Sequence, residues 1–295
     1  MPTDSNRTPA LADALPRVFI VGCQKSGTTW MQGLLGAHPQ ICCRGEACFG
    51  NFLAAIVSQA LSKYNTMQRA GPVNVFDNDD GVEIVRHAAC VLQRKWVAAS
   101  KDPAAVQVIA EKTPEHALAL DVLEQLFPTM RVIHIIRDGR DGVISGWHHN
   151  IRDNETNFRA RFPTQSDYTR YFVESHWLSY IAKARAWGAA HQENYYELQY
   201  EHALEDPFSK AKALFEFLDV AADDETIQKA VETSSFKKMS GGRDSGQVDN
   251  KSHVRKGVAG GWKNELDDES VRIFEEIGGG VLTSLGYPLS TAPVG

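Results

Sequence analysis

Residues 17–30, with the sequence RVFIVGCQKSGTTW, constrain the fold of this chain more than any other segment. An apolar run, 18–21, leads through Gly22 and Gly27 into a helix that is predicted to begin near Thr28. A strand that opens through such a loop into a helix directs free backbone N–H groups, and the positive end of the helix, towards one point. The loop also carries a cation and three hydroxyl groups, on Lys25, Ser26, Thr28 and Thr29. The segment therefore predicts a site for a polyanion that needs no metal ion, although an ordinary strand-to-helix turn also uses glycine and threonine.

The loop differs from the phosphate loop of nucleoside triphosphatases at a decisive position. Gly22 and Gly27 have the separation of G-x-x-x-x-G-K-[ST], but Thr28 stands where the lysine belongs and Lys25 lies inside the loop. An ATPase or GTPase is therefore disfavoured. Two alternatives stay open: a Mg²⁺-dependent nucleotide kinase or NTPase of the same fold, and an inactive nucleotide-binding scaffold.

Length and composition set the broad class. A chain of 295 residues predicts one α/β domain at 17–288, with a loosely ordered segment at 1–16 and a tail at 289–295. The net charge of −6 argues against a nucleic-acid partner. Five cysteines without a CxxC pair suggest neither disulfides nor a zinc site. No signal-peptide pattern or membrane-spanning run is evident, which favours the cytoplasm.

Strand and helix patterns alternate along the chain. Apolar runs predict strands at 18–21, 40–43, 106–110, 131–136 and 195–200, and the segments between them predict helices at 28–37, 49–67, 82–100, 115–127, 166–191, 207–218, 224–232 and 266–285. This order predicts a central parallel β-sheet flanked by helices on both faces. Residues 148–168 are predicted to be irregular and typical of a substrate loop or lid, and 241–253 to be a mobile polar loop.

Two further segments contain candidate anion ligands. In RDGRDGVIS, 137–145, Arg137 ends a strand and Ser145 follows two helical turns later, so both can reach one anion; Asp138 and Asp141 are predicted to cap the helix. In RKGVAGGWK, 255–263, two adjacent cations precede a glycine that allows close approach of the backbone.

These segments, in this order, resemble the phosphate motifs of sulfotransferases that use 3′-phosphoadenosine 5′-phosphosulfate (PAPS). KSGTTW resembles their 5′-phosphosulfate loop, 137–145 their R-D-x-x-D-x-x-x-S motif, 200–207 their Y-E-x-L-x-x-D-P stretch and 255–263 their R-K-G-x-x-G-x-W-K motif. The resemblance implies a P-loop NTPase-like fold and metal-free transfer of a sulfuryl group to a hydroxyl, with adenosine 3′,5′-bisphosphate (PAP) as product. It also implies the ligands of the 5′ end (Lys25, Ser26, Gly27, Thr28 and Thr29), of the 3′-phosphate (Arg137, Ser145, Arg255, Lys256 and Gly257) and of the adenine (Trp30, Tyr200 and Phe236).

The same resemblance suggests the catalytic groups. Lys25, and then Lys112 of the E-K-T-P run, are candidates to stabilise charge on the bridging oxygen. In the cytosolic aryl and steroid branch the base is the histidine of a K-T-H run, and here that position is Pro114. The departure favours a glutamate after the second strand, as in carbohydrate and tyrosylprotein sulfotransferases, and we therefore predict Glu46 as general base. His116, His148 and His149 are the alternatives.

The acceptor is the least constrained part of the prediction. A small-molecule, lipid or carbohydrate hydroxyl is expected, and the arginines within 148–168 point towards an anionic or sugar acceptor: Arg152, Arg159 and Arg161. The segment after Lys263 lacks the K-x-x-x-T-V-x-x-x-E pattern by which cytosolic relatives pair. That dimer is not implied, and the oligomeric state stays open.

Overall fold

The apolar runs identified in the sequence form a parallel β-sheet. The structure is a computed structural model that describes residues 12–68, 71–252 and 255–290. Within these residues five strands lie in the order β2-β3-β1-β4-β5, and every neighbouring pair is parallel. Their bounds are Arg17–Val21 (β1), Ile41–Gly45 (β2), Val108–Lys112 (β3), Arg131–Ile136 (β4) and Tyr195–Gln199 (β5). The predicted α/β fold class is confirmed.

Alternating side chains of the central strand divide the core between the two faces of the sheet. Phe19 and Val21 join one buried cluster, while Val18 and Ile20 join another. A strand with its two faces buried reads as a continuous apolar run, which is why the sequence predicted β1 so clearly. All five carboxyl ends lie at one edge of the sheet, where ligands bind in open parallel sheets.

Helices cover the two faces. The α-helices are Thr28–Gly36 (α1), Ala54–Met67 (α2), Asn78–Ala98 (α3), Leu120–Leu126 (α4), Gly139–Arg161 (α5), Gln165–Phe172 (α6), Leu178–Ala190 (α7), Tyr200–Glu205 (α8), Pro207–Phe217 (α9), Asp224–Thr233 (α10), Phe236–Met239 (α11), Trp262–Glu265 (α12) and Asp268–Ser284 (α13). Short 3₁₀ and π-helical turns complete the helical structure: Phe49–Leu53, Pro72–Asn74, Pro114–Leu118, Val173–Trp177 and Gln192–Asn194. Within the described residues, no helix combines the length and the apolar character that crossing a bilayer requires.

The prediction of irregular structure at 148–168 is wrong. Helix α5 continues to Arg161 with one kink at Asn154, and α6 begins at Gln165 behind a capping box made by Thr164 and Asp167. The physical reason is an aromatic cluster in which Phe158 packs on Trp147 and Tyr168, with ring centroids 5.2 and 5.1 Å apart. This burial stabilises a helix that polar composition had obscured.

Several other boundaries also differ from the predictions. β3 begins and ends two residues later than predicted, so Glu111 and Lys112 belong to the strand itself. The predicted helix 115–127 is a 3₁₀ turn followed by α4. Helix α13 runs from Asp268 to Ser284 rather than over the predicted 266–285, and it continues through its glycines, where Gly278 packs closely: an added Cβ would lie 3.1 Å from Cγ2 of Val173.

The predicted terminal segments fall mainly outside the described residues. Of 1–16, residues 1–11 are not described, whereas Ala12 is buried and Asp13 pairs with Arg94. Of the predicted tail, 291–295 are not described, and the Ser290 amide donates to Glu275 at 2.8 Å. In the predicted polar loop no helix or strand forms between 241 and 252, and residues 253–254 are not described.

Candidate functional site

A cleft of about 690 Å³ opens at the carboxyl edge of the sheet. It brings together residues that lie far apart in the sequence, because β1, β3 and β4 are neighbours and end at this edge. Most of the predicted site residues line it: Lys25, Gly27, Thr28, Thr29, Trp30, Glu46, Lys112, Arg137, Ser145, His149, Tyr200, Phe236, Arg255, Lys256 and Gly257. Three predicted catalytic or binding residues do not: Ser26, His116 and His148.

The loop between β1 and α1 is held tightly by its glycines. Gly27 has a φ of 102°, and a Cβ there would lie 2.4 Å from Cδ2 of Tyr200. Lys25 also has a left-handed backbone, with a φ of 71°. Ser26 is buried, and its Oγ has no hydrogen-bond partner within the described part of the chain. A buried polar atom normally has a partner, so this hydroxyl is a candidate donor to a ligand atom at the loop.

Arg137 connects this loop to the other anion motif. Its guanidinium donates to the carbonyl oxygens of Lys25 and Val258 at 3.2 and 3.1 Å. It also lies over the ring of Tyr200, 4.9 Å from the centroid. Nε of Arg137 is buried and unpaired among the residues described. Arg137 therefore joins the two loops, and its Nε remains a donor without a partner among the described residues.

The loop 255–261 is fixed to the start of α5 by Asp141. One carboxylate oxygen of Asp141 accepts from the Gly260 amide at 2.7 Å, and the other accepts from the Trp262 amide at 2.8 Å. Asp138 is the helix cap, as predicted, because it accepts from the Arg140 amide. The predicted capping role of Asp141 is wrong: this carboxylate anchors a distant loop. No local signal in the sequence shows this pairing across more than a hundred residues.

The aromatic side chains form the floor of the same end. Trp30 and Tyr200 meet edge to face, with centroids 6.1 Å apart. Gly257 has a φ of 65°, and a Cβ there would lie 2.0 Å from Cδ2 of Phe236. The two glycine loops thus pack directly on Tyr200 and Phe236, and guanidinium groups also lie over these rings, that of Arg137 over Tyr200 and that of Arg243 over Phe236.

Glu46 and Lys112 form the other end. Lys112 Nζ donates to Glu46 Oε1 at 2.5 Å, and the Glu46 side chain is 65% exposed while that of Lys112 is buried. Glu46 has a φ of 55°, and its amide donates to the carbonyl of Lys112 at 2.6 Å.

Burial, and secondarily the positive charge of Arg152, lower the pKa of Lys25 to about 8.

His116 lies beneath this end rather than in it. Its Nε2 accepts from the Gly50 amide at 3.2 Å, and its Nδ1 lies 3.0 Å from Glu111 Oε2. The other oxygen of Glu111 accepts from the Ala47 amide at 2.8 Å and from the Thr113 hydroxyl. The predicted catalytic alternative at His116 thus has no access to the cleft; the side chain helps to position residues 46–50.

The two other histidines lie along α5. His149 lines the cleft, and its Nε2 is 3.3 Å from Asp153. His148 lies 3.4 Å from Glu265, and burial is the main cause that lowers its pKa. Within the described residues, no group of three His, Cys, Asp or Glu side chains is arranged to hold a metal ion.

A carboxylate just outside the cleft, which the sequence did not predict, contacts two of its cations. Glu265 accepts from Arg255 at 2.8 and 3.2 Å and from Lys256 at 2.9 Å, so one carboxylate binds two predicted phosphate ligands. The only signal in the sequence is an acidic residue three positions after Trp262.

Comparisons with known proteins agree with the geometry. The family model described as "Sulfotransferase domain" matches residues 15–286. Human protein-tyrosine sulfotransferase 1 is 28% identical over 143 residues, which cover 48% of this chain and 36% of that protein. Cytosolic sulfotransferase 3 of Arabidopsis thaliana is 27% identical over 185 residues, which cover 55% of each chain. The chain thus spans about a third to a half of these two curated relatives.

Among solved structures, a mouse sulfotransferase in complex with PAP superimposes with a TM-score of 0.56. The identity is 17%, and the match covers 94% of this chain and 89% of the mouse protein. At this level of identity, the similarity shows a shared fold and nothing further.

Proposed function

Because the chain belongs to the sulfotransferase domain family, we propose that it transfers a sulfuryl group from PAPS to a hydroxyl group and releases PAP. The observation that carries the proposal is the convergence of two separate cationic loops on one cleft. Lys25 of the first loop and Arg255 of the second both line it, and Arg137 hydrogen-bonds to each loop. A nucleotide with phosphate groups at two positions needs such a divided set of cations.

The residues present fit the donor. The unpaired hydroxyl of Ser26 and the loop amides before α1 suit the 5′-phosphosulfate, and the spare Nε of Arg137 with Ser145, Arg255, Lys256 and Gly257 suits the 3′-phosphate. Tyr200 and Phe236, held against glycines, offer ring faces for the adenine, with Trp30 at the edge. PAPS would supply an activated sulfuryl group. These donors would bind its negative charges without a metal ion.

The acceptor hydroxyl needs a proton acceptor, and we assign that role to Glu46. Its exposed carboxylate lines the cleft and is held by Lys112. The Oε2 of Glu46 stays available for the hydroxyl proton while Oε1 accepts from Lys112. We propose that Lys25, which lines the cleft, opposes the negative charge that develops on the leaving oxygen, with Lys112 as the second cation. His149 is the alternative base, since it also lines the cleft.

The acceptor is proposed as a hydroxyl of a small molecule, lipid or carbohydrate. Phenols should also be tested as acceptors, because one relative is named a protein-tyrosine sulfotransferase. All five cysteines are free in the structure, and we propose that the chain works in a reducing compartment such as the cytoplasm.

Calorimetry and a labelled-donor assay test the proposal. The wild-type protein should bind PAP more tightly than adenosine 5′-phosphate, and should turn over labelled PAPS with one member of a panel of phenols, sterols, sugars and lipids. Replacing Arg255 and Lys256 together by alanine should weaken PAP binding far more than adenosine 5′-phosphate binding. The matched control replaces two exposed lysines on other helices, Lys212 and Lys229, by alanine.

Three results would contradict the proposal. Equal losses for the two nucleotides would remove the 3′-phosphate role of the Arg255 loop. Tight binding and turnover of ATP with Mg²⁺ would instead favour a nucleotide kinase or NTPase. PAP binding without turnover of any acceptor would favour an inactive nucleotide-binding scaffold.

A further inference from the structure

The cations of the loop 255–261 are already engaged by a carboxylate of the chain. Both terminal nitrogens of Arg255, NH1 and NH2, donate to the two oxygens of Glu265 at 2.8 and 3.2 Å, and Nζ of Lys256 donates to Oε1 at 2.9 Å. The carboxylate thus receives three charge-assisted hydrogen bonds. This is the contact set that two such cations offer to a terminal phosphate group.

The backbone of Glu265 is fixed in place. Helix α12 begins with Trp262, whose amide is held by Asp141 and whose ring lies 3.8 Å from the guanidinium of buried Arg140. The Glu265 carbonyl accepts from Gln165 at 3.4 Å. Because these contacts hold both ends of the short helix, the carboxylate is presented to the loop by a rigid support.

Glu265 itself does not line the cleft, whereas Arg255 and Lys256 do. Glu265 therefore contacts the two cations from outside the cleft, whereas a nucleotide phosphate would contact them from inside it. A bidentate contact uses the fork of NH1 and NH2 on Arg255, and Glu265 occupies that fork. Burial raises the pKa of Glu265, but the hydrogen bonds from Arg255 and Lys256 outweigh burial and keep the carboxylate ionised at neutral pH.

We propose that Glu265 is an internal counter-ion that competes with the 3′-phosphate for Arg255 and Lys256, and so limits the preference of the cleft for 3′-phosphorylated nucleotides. A dianionic phosphate can displace one carboxylate from these cations, whereas a ligand without a phosphate at this position leaves the pair intact. Glu265 is thus a positioning residue, which acts through the two cations. The inference rests on the proposed function, because it requires a nucleotide that carries a 3′-phosphate.

The test is Glu265→Gln, which keeps the shape of the side chain and removes its charge. We expect PAP to bind about five- to tenfold more tightly, because a competing charge next to the phosphate is lost, while adenosine 5′-phosphate changes less than about twofold. Glu265→Ala should shift PAP affinity in the same direction. This second variant shows whether the change comes from the loss of the carboxylate charge or from new contacts of the glutamine amide. The matched control is Glu269→Gln, which removes the same charge from an exposed pair with Arg272.

Each outcome decides the inference. Weaker PAP binding by both variants would mean that Glu265 only orients the cations, and equal changes for PAP and adenosine 5′-phosphate would mean that it has no role in selectivity; either overturns the inference alone. PAP binding that appears only in the variants would support it. Absence of PAP binding in the wild type and in the variants, with thermal unfolding unchanged, would overturn the proposed function together with it.

Discussion

The nucleotide end and the acceptor end of the cleft are held in place by different means. At the nucleotide end, two glycine loops approach aromatic rings so closely that a Cβ on Gly27 or Gly257 would overlap Tyr200 or Phe236. Backbone amides of the second loop are anchored by Asp141. At the acceptor end, the exposed carboxylate of Glu46 depends on one side-chain contact, with Lys112.

This difference suggests how each end tolerates change. Backbone geometry of the nucleotide end would fix the position of the proposed nucleotide, so steric changes should be costly there. Side chains of the acceptor end supply chemistry but little shape, so single functional groups should matter more than volume. The four predictions below test this contrast, from the largest expected effect to the smallest.

The largest effect is expected at the acceptor end, from Glu46→Gln. Turnover should fall by about a hundred- to ten-thousandfold, the usual contribution of a general base, while PAP affinity is retained. The measurement is the turnover of labelled PAPS beside PAP calorimetry. The control is Glu115→Gln, because Glu115 lines the same cleft and contacts Gln24.

Near-normal turnover of Glu46→Gln would contradict the assignment. His149→Ala would then be tested as the alternative base, because His149 lines the cleft whereas His116 is fully buried.

The next effect is steric and belongs to the nucleotide end. Gly257→Ala should weaken PAP binding by about ten- to hundredfold, because the Cβ overlaps Phe236 and the left-handed backbone is strained. Gly260→Ala is the matched control: its φ of 73° shares the strain, but nothing lies within 4 Å of its Cβ. Calorimetry of the two variants separates overlap from strain. Equal losses would show that close packing on Phe236 does not shape the nucleotide end.

The sequence predicted the nucleotide end better than the acceptor end for a physical reason. Phosphate sites are made by glycines, hydroxyls and cations that are adjacent in the chain, so the segments at 22–29 and 255–257 could be recognised directly. β1 and β4 were equally clear, because strands buried on two faces are continuous apolar runs.

Contacts between distant segments could not be predicted. Asp141 looked like a helix cap, and its partners at Gly260 and Trp262 are defined only by the fold. His116 stood near the position of a catalytic histidine, yet its ring is enclosed between Gly50 and Glu111. The missed part of α5 did carry a signal, since Phe158 and Phe162 have the i, i+4 spacing typical of a helix, and their rings pack 5.4 Å apart although α5 ends at Arg161.

A third prediction concerns Lys25, which lies between the two ends. Burial lowers its pKa to about 8, so the charged form, which attracts the donor, is lost as pH rises through that value. The affinity for PAP should therefore fall about tenfold between pH 7 and pH 9, since the nucleotide phosphates are already ionised. Lys25→Arg stays charged and should flatten this profile. The same slope in the variant would assign the pH dependence to another group.

The smallest effect is expected from Ser145→Ala. Ser145 lines the cleft from α5, two turns after Arg137, and contributes one neutral hydroxyl to the proposed 3′-phosphate site. Loss of one such hydrogen bond should weaken PAP binding by about two- to tenfold. Adenosine 5′-phosphate affinity should be unchanged, and alanine favours the helix at least as well as serine.

Calorimetry with the two nucleotides measures the difference. The control is Ser179→Ala on α7, because the Ser179 hydroxyl donates to the carbonyl oxygen of Glu174 and does not line the cleft. An equal loss for both nucleotides would place Ser145 outside the 3′-phosphate site. A selective loss this small, beside the large steric effect at Gly257, would show that the nucleotide end owes its strength to backbone shape and only its fine selectivity to single hydroxyls. At the acceptor end, by contrast, the single carboxylate of Glu46 is expected to account for most of the rate enhancement.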